Sequence, residues 1–172
     1  MIPEKLNPQQ HLSLNKSIQA ALDRSAASLQ MMLSGEVHIE LCPPALRAPD
    51  VCVSLGLTGA LPGGIYIDLP ETMAIQIVKT LIPGSHLTLL DEMSRSVLME
   101  LGNILASVFV AYFDQSRGLR TLPTPPELCL IPLDIPRYAE CLSADFSWTK
   151  SHDRAQVLIG LDRSALNILL AG

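Results

Sequence analysis

Residues 8–33 carry leucine, isoleucine, alanine and methionine at Leu14, Ile18, Ala21, Leu22, Leu29, Met32 and Leu33, among others, and Ser34-Gly35 ends the run. That spacing is close to a helical period and predicts a long helix over 8–33. Three β-like runs follow. Val37-His38-Ile39-Glu40-Leu41 and Val51-Cys52-Val53-Ser54-Leu55 alternate, and Ile65-Tyr66-Ile67-Asp68-Leu69 comes after a Pro62-Gly63-Gly64 turn, so the last two runs are expected to pair as a hairpin. Pro70 suits the first turn of a helix, which Met73, Ala74, Ile77, Val78 and Leu81 continue until Pro83-Gly84 stops it.

The second half runs in the same order. A helix is expected from about Thr88 to Ser116, stopped by Arg117-Gly118; the proline-rich stretch 123–136 leads through Leu128-Cys129-Leu130-Ile131; β-like runs cover about 139–149 and 155–161; a short helix closes the chain. The strand-to-helix junctions Ile67-Asp68-Leu69-Pro70-Glu71 and Ile159-Gly160-Leu161-Asp162-Arg163 match as a weak internal repeat. Two copies of helix, three strands and helix, about 8–84 and 88–172, would share one antiparallel sheet with its helices on one face. The fold class read from this is α+β, one domain with a pseudo-two-fold repeat.

Composition narrows the partners. The chain has 172 residues, 48% of them hydrophobic and 17% charged, and a mean hydropathy of +0.31, which is ample for a core and excludes intrinsic disorder. A net charge of −5 argues against nucleic acid or an anionic membrane as partner. The longest mainly apolar run, Ile104 to Phe113, is about half the ~20 residues of a membrane span, and the start shows no apolar signal segment, so a cytoplasmic protein is expected. Cysteines at 42, 52, 129 and 141 have no CxxC and no tight spacing to the histidines at 11, 38, 86 and 152. They are read as reduced, small buried residues, with no metal site.

The helix over 88–116 carries the chemistry. At about 100° per residue, Leu90, Met93, Val97, Leu101, Ile104, Leu105, Val108 and Tyr112 gather on one side, read as core, and Glu92, Ser96, Glu100, Asn103 and Ser107 on the other. Asn is disfavoured in a helix interior by about half a kcal/mol relative to Ala, so Asn103 on an exposed face asks for a reason. Glu100 lies one turn before it, at i and i+3. A bare ExxN arises by chance about 0.4 times in such a chain. Ser96 four residues before the Glu, and Pro126 after 22 further residues, bring that to roughly 0.003.

The pattern D/S-x-x-x-E-x-x-N, 22 residues and Pro resembles the signature of the CheC/CheX/FliY phosphatases of bacterial chemotaxis. Asp91-Glu92-Met93, Glu100-Leu101-Gly102-Asn103-Ile104-Leu105-Ala106-Ser107, Thr124-Pro125-Pro126 and the Gly63-Gly64-Ile65-Tyr66-Ile67-Asp68-Leu69-Pro70 junction also read like CheC. The resemblance implies a single CheC-like domain with two long helices on one face of the sheet. It further implies hydrolysis of the phosphoaspartate of a CheY-type response regulator that brings its own Mg²⁺. Asn103 would orient the attacking water and Glu100 would dock to the regulator's lysine, with Ser96, Glu92, Ser107 and Pro126 as partner-binding residues and no metal on this chain. CheC typically carries the motif twice. Counting back from Cys42-Pro43-Pro44 puts Lys16, Ser17 or Ile18 at the Glu position and Gln19, Ala20 or Ala21 at the Asn position, so the first site looks lost.

Other candidates carry less. His86 as a general base, a metal set of the histidines at 38, 86 and 152 with Asp91, and an oligomer contact by Leu166, Leu169 and Leu170 are all weaker than solvated or packed side chains at those positions. Trp148 is expected to pack. The competing functions are a non-catalytic adaptor binding CheY or a CheD-like partner, and a flagellar-switch piece resembling FliY, for whose motor-binding domain 172 residues leave no room. The chain is expected to be a monomer or a homodimer.

Overall fold

A computed structural model describes residues 5–45, 50–84, 88–89, 91–130 and 137–171. The order is α1 (Pro8–Leu33), β1 (Val37–Cys42), β2 (Val51–Gly59), β3 (Gly63–Leu69), α2 (Glu71–Leu81), α3 (Glu92–Arg117), β4 (Thr121–Pro123), β5 (Glu127–Cys129), β6 (Glu140–Trp148), β7 (Arg154–Leu161) and α4 (Arg163–Leu170). A capping box starts α1: the Asn7 side chain accepts from the Gln10 N–H, and the Gln10 side chain accepts from the Asn7 N–H, both at 2.9 Å. Gly118, in the left-handed region at φ 65°, ends α3.

The antiparallel sheet runs β1-β6-β7-β3-β2, with both β4 and β5 on the far side of β2. β2 and β3 form the expected hairpin. One face holds Val53, Leu55, Ile65, Ile67, Val157, Ile159, Ala144 and Phe146, all buried, and α1 and α3 lie across it, α1 on β1 and α3 on β2 and β4. Ser25, buried between the two long helices, is satisfied by donating to the carbonyls of Ala21 and Leu105. Trp148 is buried in this core.

The pseudo-two-fold axis passes between β3 and β7. Moving each residue of the pair Ile65–Ile159 by 92 positions gives Val157–Ile67, which is also a pair in the register. The long helices repeat with a different shift, 84: Leu14, Ala21, Leu22, Ala26 and Leu29 are buried in α1 where Leu98, Leu105, Ala106, Val110 and Phe113 are buried in α3. The halves interlock, since β1 pairs with β6 of the second half and β5 with β2 of the first. The second half departs from three strands: the counterpart of β1 is broken by Thr124-Pro125-Pro126 into β4 and β5.

The structure corrects several expectations. α3 begins at Glu92, not Thr88, because the Asp91 carboxylate accepts from the Thr88 N–H and Asp91 serves as N-cap. The buried stripe of α3 is Ser94, Leu98, Leu101, Gly102, Leu105, Ala106, Phe109, Val110 and Phe113. Met93 is 56% exposed, and Val97, Ile104, Val108 and Tyr112 are half-buried, so the contact face is rotated from the predicted one. Leu90 lies outside the described residues. Helix α3 is long and apolar enough to span a bilayer by length and composition, which the 104–113 run alone did not show; here its apolar side is the middle of the core. The four cysteines are free, and Cys141 is exposed rather than buried.

Candidate functional site

The site face of α3 carries Glu92, Ser96 and Glu100, all exposed, and Asn103 and Ser107, both half-buried. Asn103 is thus less exposed than its place in the helical pattern implied. Glu100 and Asn103 sit on adjacent turns of one surface. Among the described residues, the Asn103 amide has no hydrogen-bond partner and Glu100 pairs with no cation. Gly102 sets the height of this face: a Cβ there would come within 2.5 Å of Val53 Cγ1, so only glycine lets α3 lie this close to β2.

Beside α3 runs the broken edge strand. Thr124 is gripped at two points by β2, its N–H donating to the Gly56 carbonyl and its Oγ1 accepting from the Gly56 N–H, each at 2.8 Å. This holds Pro125, exposed, and Pro126, half-buried, next to the helix. Arg95 donates to the Leu128 carbonyl at 3.5 Å. Asn103 lies eight residues further along α3, about 12 Å, and four residues back from Leu128 along an extended chain is about 13 Å. Along their lengths, then, Asn103 and Thr124 stand at similar distances from the Arg95–Leu128 contact, on a helix that packs against both β4 and β5. Neither Thr124 nor Gly102 was assigned a role from sequence; a small residue wedged between Leu101 and Asn103 was the available signal.

The first half shows what the same place becomes without the motif. The 84-residue shift sets Lys16 against Glu100, Gln19 against Asn103 and Leu12 against Ser96. Of the three registrations open from sequence, burial selects this one. The Gln19 amide is fully engaged: Nε2 donates to the Ile39 carbonyl and to Asp23 Oδ1, each at 2.8 Å, and Oε1 accepts from the Leu41 N–H at 2.9 Å. Lys16 reverses the charge, and Leu12 is 63% exposed.

Shifted acidities lie elsewhere, on the sheet face away from the helices. Burial raises the Asp68 carboxyl, opposed by a hydrogen bond from Cys52, and burial, then Asp68 itself, raises the Cys52 thiol. Burial and the 2.6 Å bond to Tyr138 raise Tyr66. Among the described residues, no three His, Cys, Asp or Glu side chains gather as a metal would need. His86 lies outside the described residues; His38 stands beside Glu36 at 3.8 Å and is exposed, far in sequence and in the sheet from α3.

No family model matches the sequence, and no curated protein matches it. Solved structures do. CheX in the CheX–CheY–BeF3–Mg complex from Borrelia burgdorferi is 27% identical, with a TM-score of 0.67, covering 86% of this chain and 98% of its own. The chain resembles the CheC/CheX/FliY proteins and has their fold. CheX from Desulfovibrio desulfuricans superposes with a TM-score of 0.72 at 14% identity, covering 86% of this chain and 99% of its own. FliY from Thermotoga maritima gives 0.72 at 16%, covering 98% and 97%. At such identities these two show the shared fold: the pseudo-symmetric sheet under two long helices. On the two long helices of this fold the chain carries Glu100 and Asn103 on α3, and Lys16 and Gln19 at the matching places on α1.

Proposed function

We propose that this chain acts in cytoplasmic chemotaxis signalling by hydrolysing the phosphoaspartate of a CheY-type response regulator. The observation that carries the reading is the Asn103 amide, without a hydrogen-bond partner among the described residues, beside the exposed Glu100 on an outward face of α3. An amide offers a donor and an acceptor together, so it can hold a water in line with phosphorus without itself attacking. Glu100, one turn away, supplies a carboxylate for a lysine at the regulator's phosphorylation site. Water attacks phosphorus, the P–O bond to the aspartate breaks, and inorganic phosphate and a free carboxylate remain. The regulator contributes the phosphoryl group and its Mg²⁺. This chain contributes position, which is where much of the barrier to phosphoryl transfer is overcome. That CheX in the Borrelia complex is seen with CheY, BeF3 and Mg supports the partner class.

A second reading is an adaptor that binds the regulator without hydrolysis, favoured by the altered face of α1, where no free amide is left. The experiment that separates them follows acyl-phosphate loss from a purified phosphorylated CheY-type regulator with and without the chain. Hydrolysis supports the first, and binding without acceleration the second.

A further inference from the structure

Each long helix carries one amide at the matching place, and among the described residues the one on α1 is captured and the one on α3 is not. On α1, Gln19 grips β1 at two points, the Ile39 carbonyl and the Leu41 N–H. The 84-residue shift that relates the helices also carries Ile39 to Pro123 and Leu41 to Pro125. In β1 the groups of Ile39 and Leu41 point away from β6, toward α1. In the second half Thr124 turns its N–H toward β2 at Gly56, so Pro123, its neighbour in β4, faces away from β2 as Ile39 faces away from β6, and Pro125, at the place of Leu41, follows just beyond the end of β4. β5 pairs with β2 one residue out of step with β4; counted from β5, the position of Leu41 falls on Pro126. Neither proline has an N–H.

We propose that Pro125 is a positioning residue: by removing the N–H that would capture the Asn103 side-chain oxygen, it keeps that amide free to hold water. The inference rests on the phosphatase reading of α3 and adds to it a reason for proline in the segment following the motif. The same comparison accounts for the first half. Leu41 has the N–H that Pro125 lacks, and the glutamine is one methylene longer, so the strand closes on the amide and the face becomes a clamp on the sheet edge. Such clamping also occupies edge groups of β1 that would otherwise stand open to another strand.

The test uses Pro125→Ala, with Pro125→Ala/Pro126→Ala to cover both registers, and two readouts. The first is acyl-phosphate hydrolysis with a phosphorylated regulator. The second is the Asn103 side-chain amide followed by NMR in the chain alone, where accepting a hydrogen bond moves the side-chain carbonyl resonance and slows exchange of a backbone N–H at 125 or 126. The expected result is a captured amide and a kcat lower by roughly five- to tenfold, the effect of one competing hydrogen bond, with KM unchanged. An uncaptured amide in both variants overturns the proposal, whatever the rate does. Capture at no cost in rate also overturns it, since the amide then holds no water; capture in a chain whose wild type hydrolyses no acyl phosphate upholds the strand's control of the amide and overturns the phosphatase reading instead.

Discussion

Glu100 stands exposed on its turn of α3 without a cation among the described residues, and on the proposed reading its partner is a lysine of the regulator. Glu100→Gln keeps shape and hydrogen bonding and removes charge. It should raise KM for the phosphorylated regulator about tenfold, the scale of one charge-assisted bond, with a smaller change in kcat; an unchanged dependence on regulator concentration would remove Glu100 from the docking role. Asp68, on the other sheet face, makes a prediction about stability alone. Its folded-state acidity is weakened by burial, so the folded chain binds the proton more tightly than the unfolded chain. The destabilisation this brings is absent below the ordinary carboxylate range and appears as pH rises through the raised folded value. Asp68→Asn should therefore be more stable than wild type at neutral pH, with the difference shrinking as pH falls toward 4; urea midpoints at several pH values check it. A difference independent of pH would mean that burial does not raise this carboxyl.

At the scale of elements, small residues decide how α3 sits. Gly102→Ala would push a Cβ to 2.5 Å from Val53, and overpacking of this kind costs about 1–3 kcal/mol. It should lower the urea midpoint and, by lifting the helix, depress hydrolysis more than stability explains; wild-type stability would show that β2 yields at no cost. Gln19→Ala should cost about 1–2 kcal/mol by leaving the Leu41 N–H and Ile39 carbonyl without their partner, and leave kcat as it was. Hydrogen exchange at Leu41 and an activity assay measure the two halves of that statement. The extents of α1 and α2 were legible because their apolar periods are unbroken and Ser34-Gly35 and Pro83-Gly84 mark the stops, whereas β2 runs on to Gly59 and β3 takes in Gly63 and Gly64, which were expected as a turn. The facing of α3 was not. Its close approach to β2 is at Gly102, which adds nothing to a hydrophobic stripe, whereas Val97, Ile104 and Val108 are apolar yet only half-covered. The break between β4 and β5 was likewise hidden: prolines announce an interruption, not which strand they interrupt.

For the whole molecule, the repeat could be glimpsed at the junctions before α2 and α4 but not carried through the chain. The shift is 92 residues at the central strands and 84 at the long helices, because the connections between them differ in length. A single sequence offset therefore could not settle whether Lys16, Ser17 or Ile18 stood opposite Glu100. The motif itself was readable without the fold, since its spacing lies within one helix and the segment after it. One intact face and one altered face predict one regulator bound per chain. Calorimetric titration with a regulator held in its phosphorylated form should saturate at 1:1, with Glu100→Lys abolishing the heat and Lys16→Glu leaving it unchanged; two regulators per chain would mean that α1 still docks. The central claim, that a free amide on α3 positions the attacking water, is tested most directly by the rate of acyl-phosphate loss from a phosphorylated CheY-type regulator with wild type and with Asn103→Ala. Alanine is the better helix former, so the variant should fold as well as wild type or slightly better. The account predicts clear acceleration by wild type and its loss by about 100-fold or more in the variant, with regulator binding retained. Equal rates for the two proteins would contradict it.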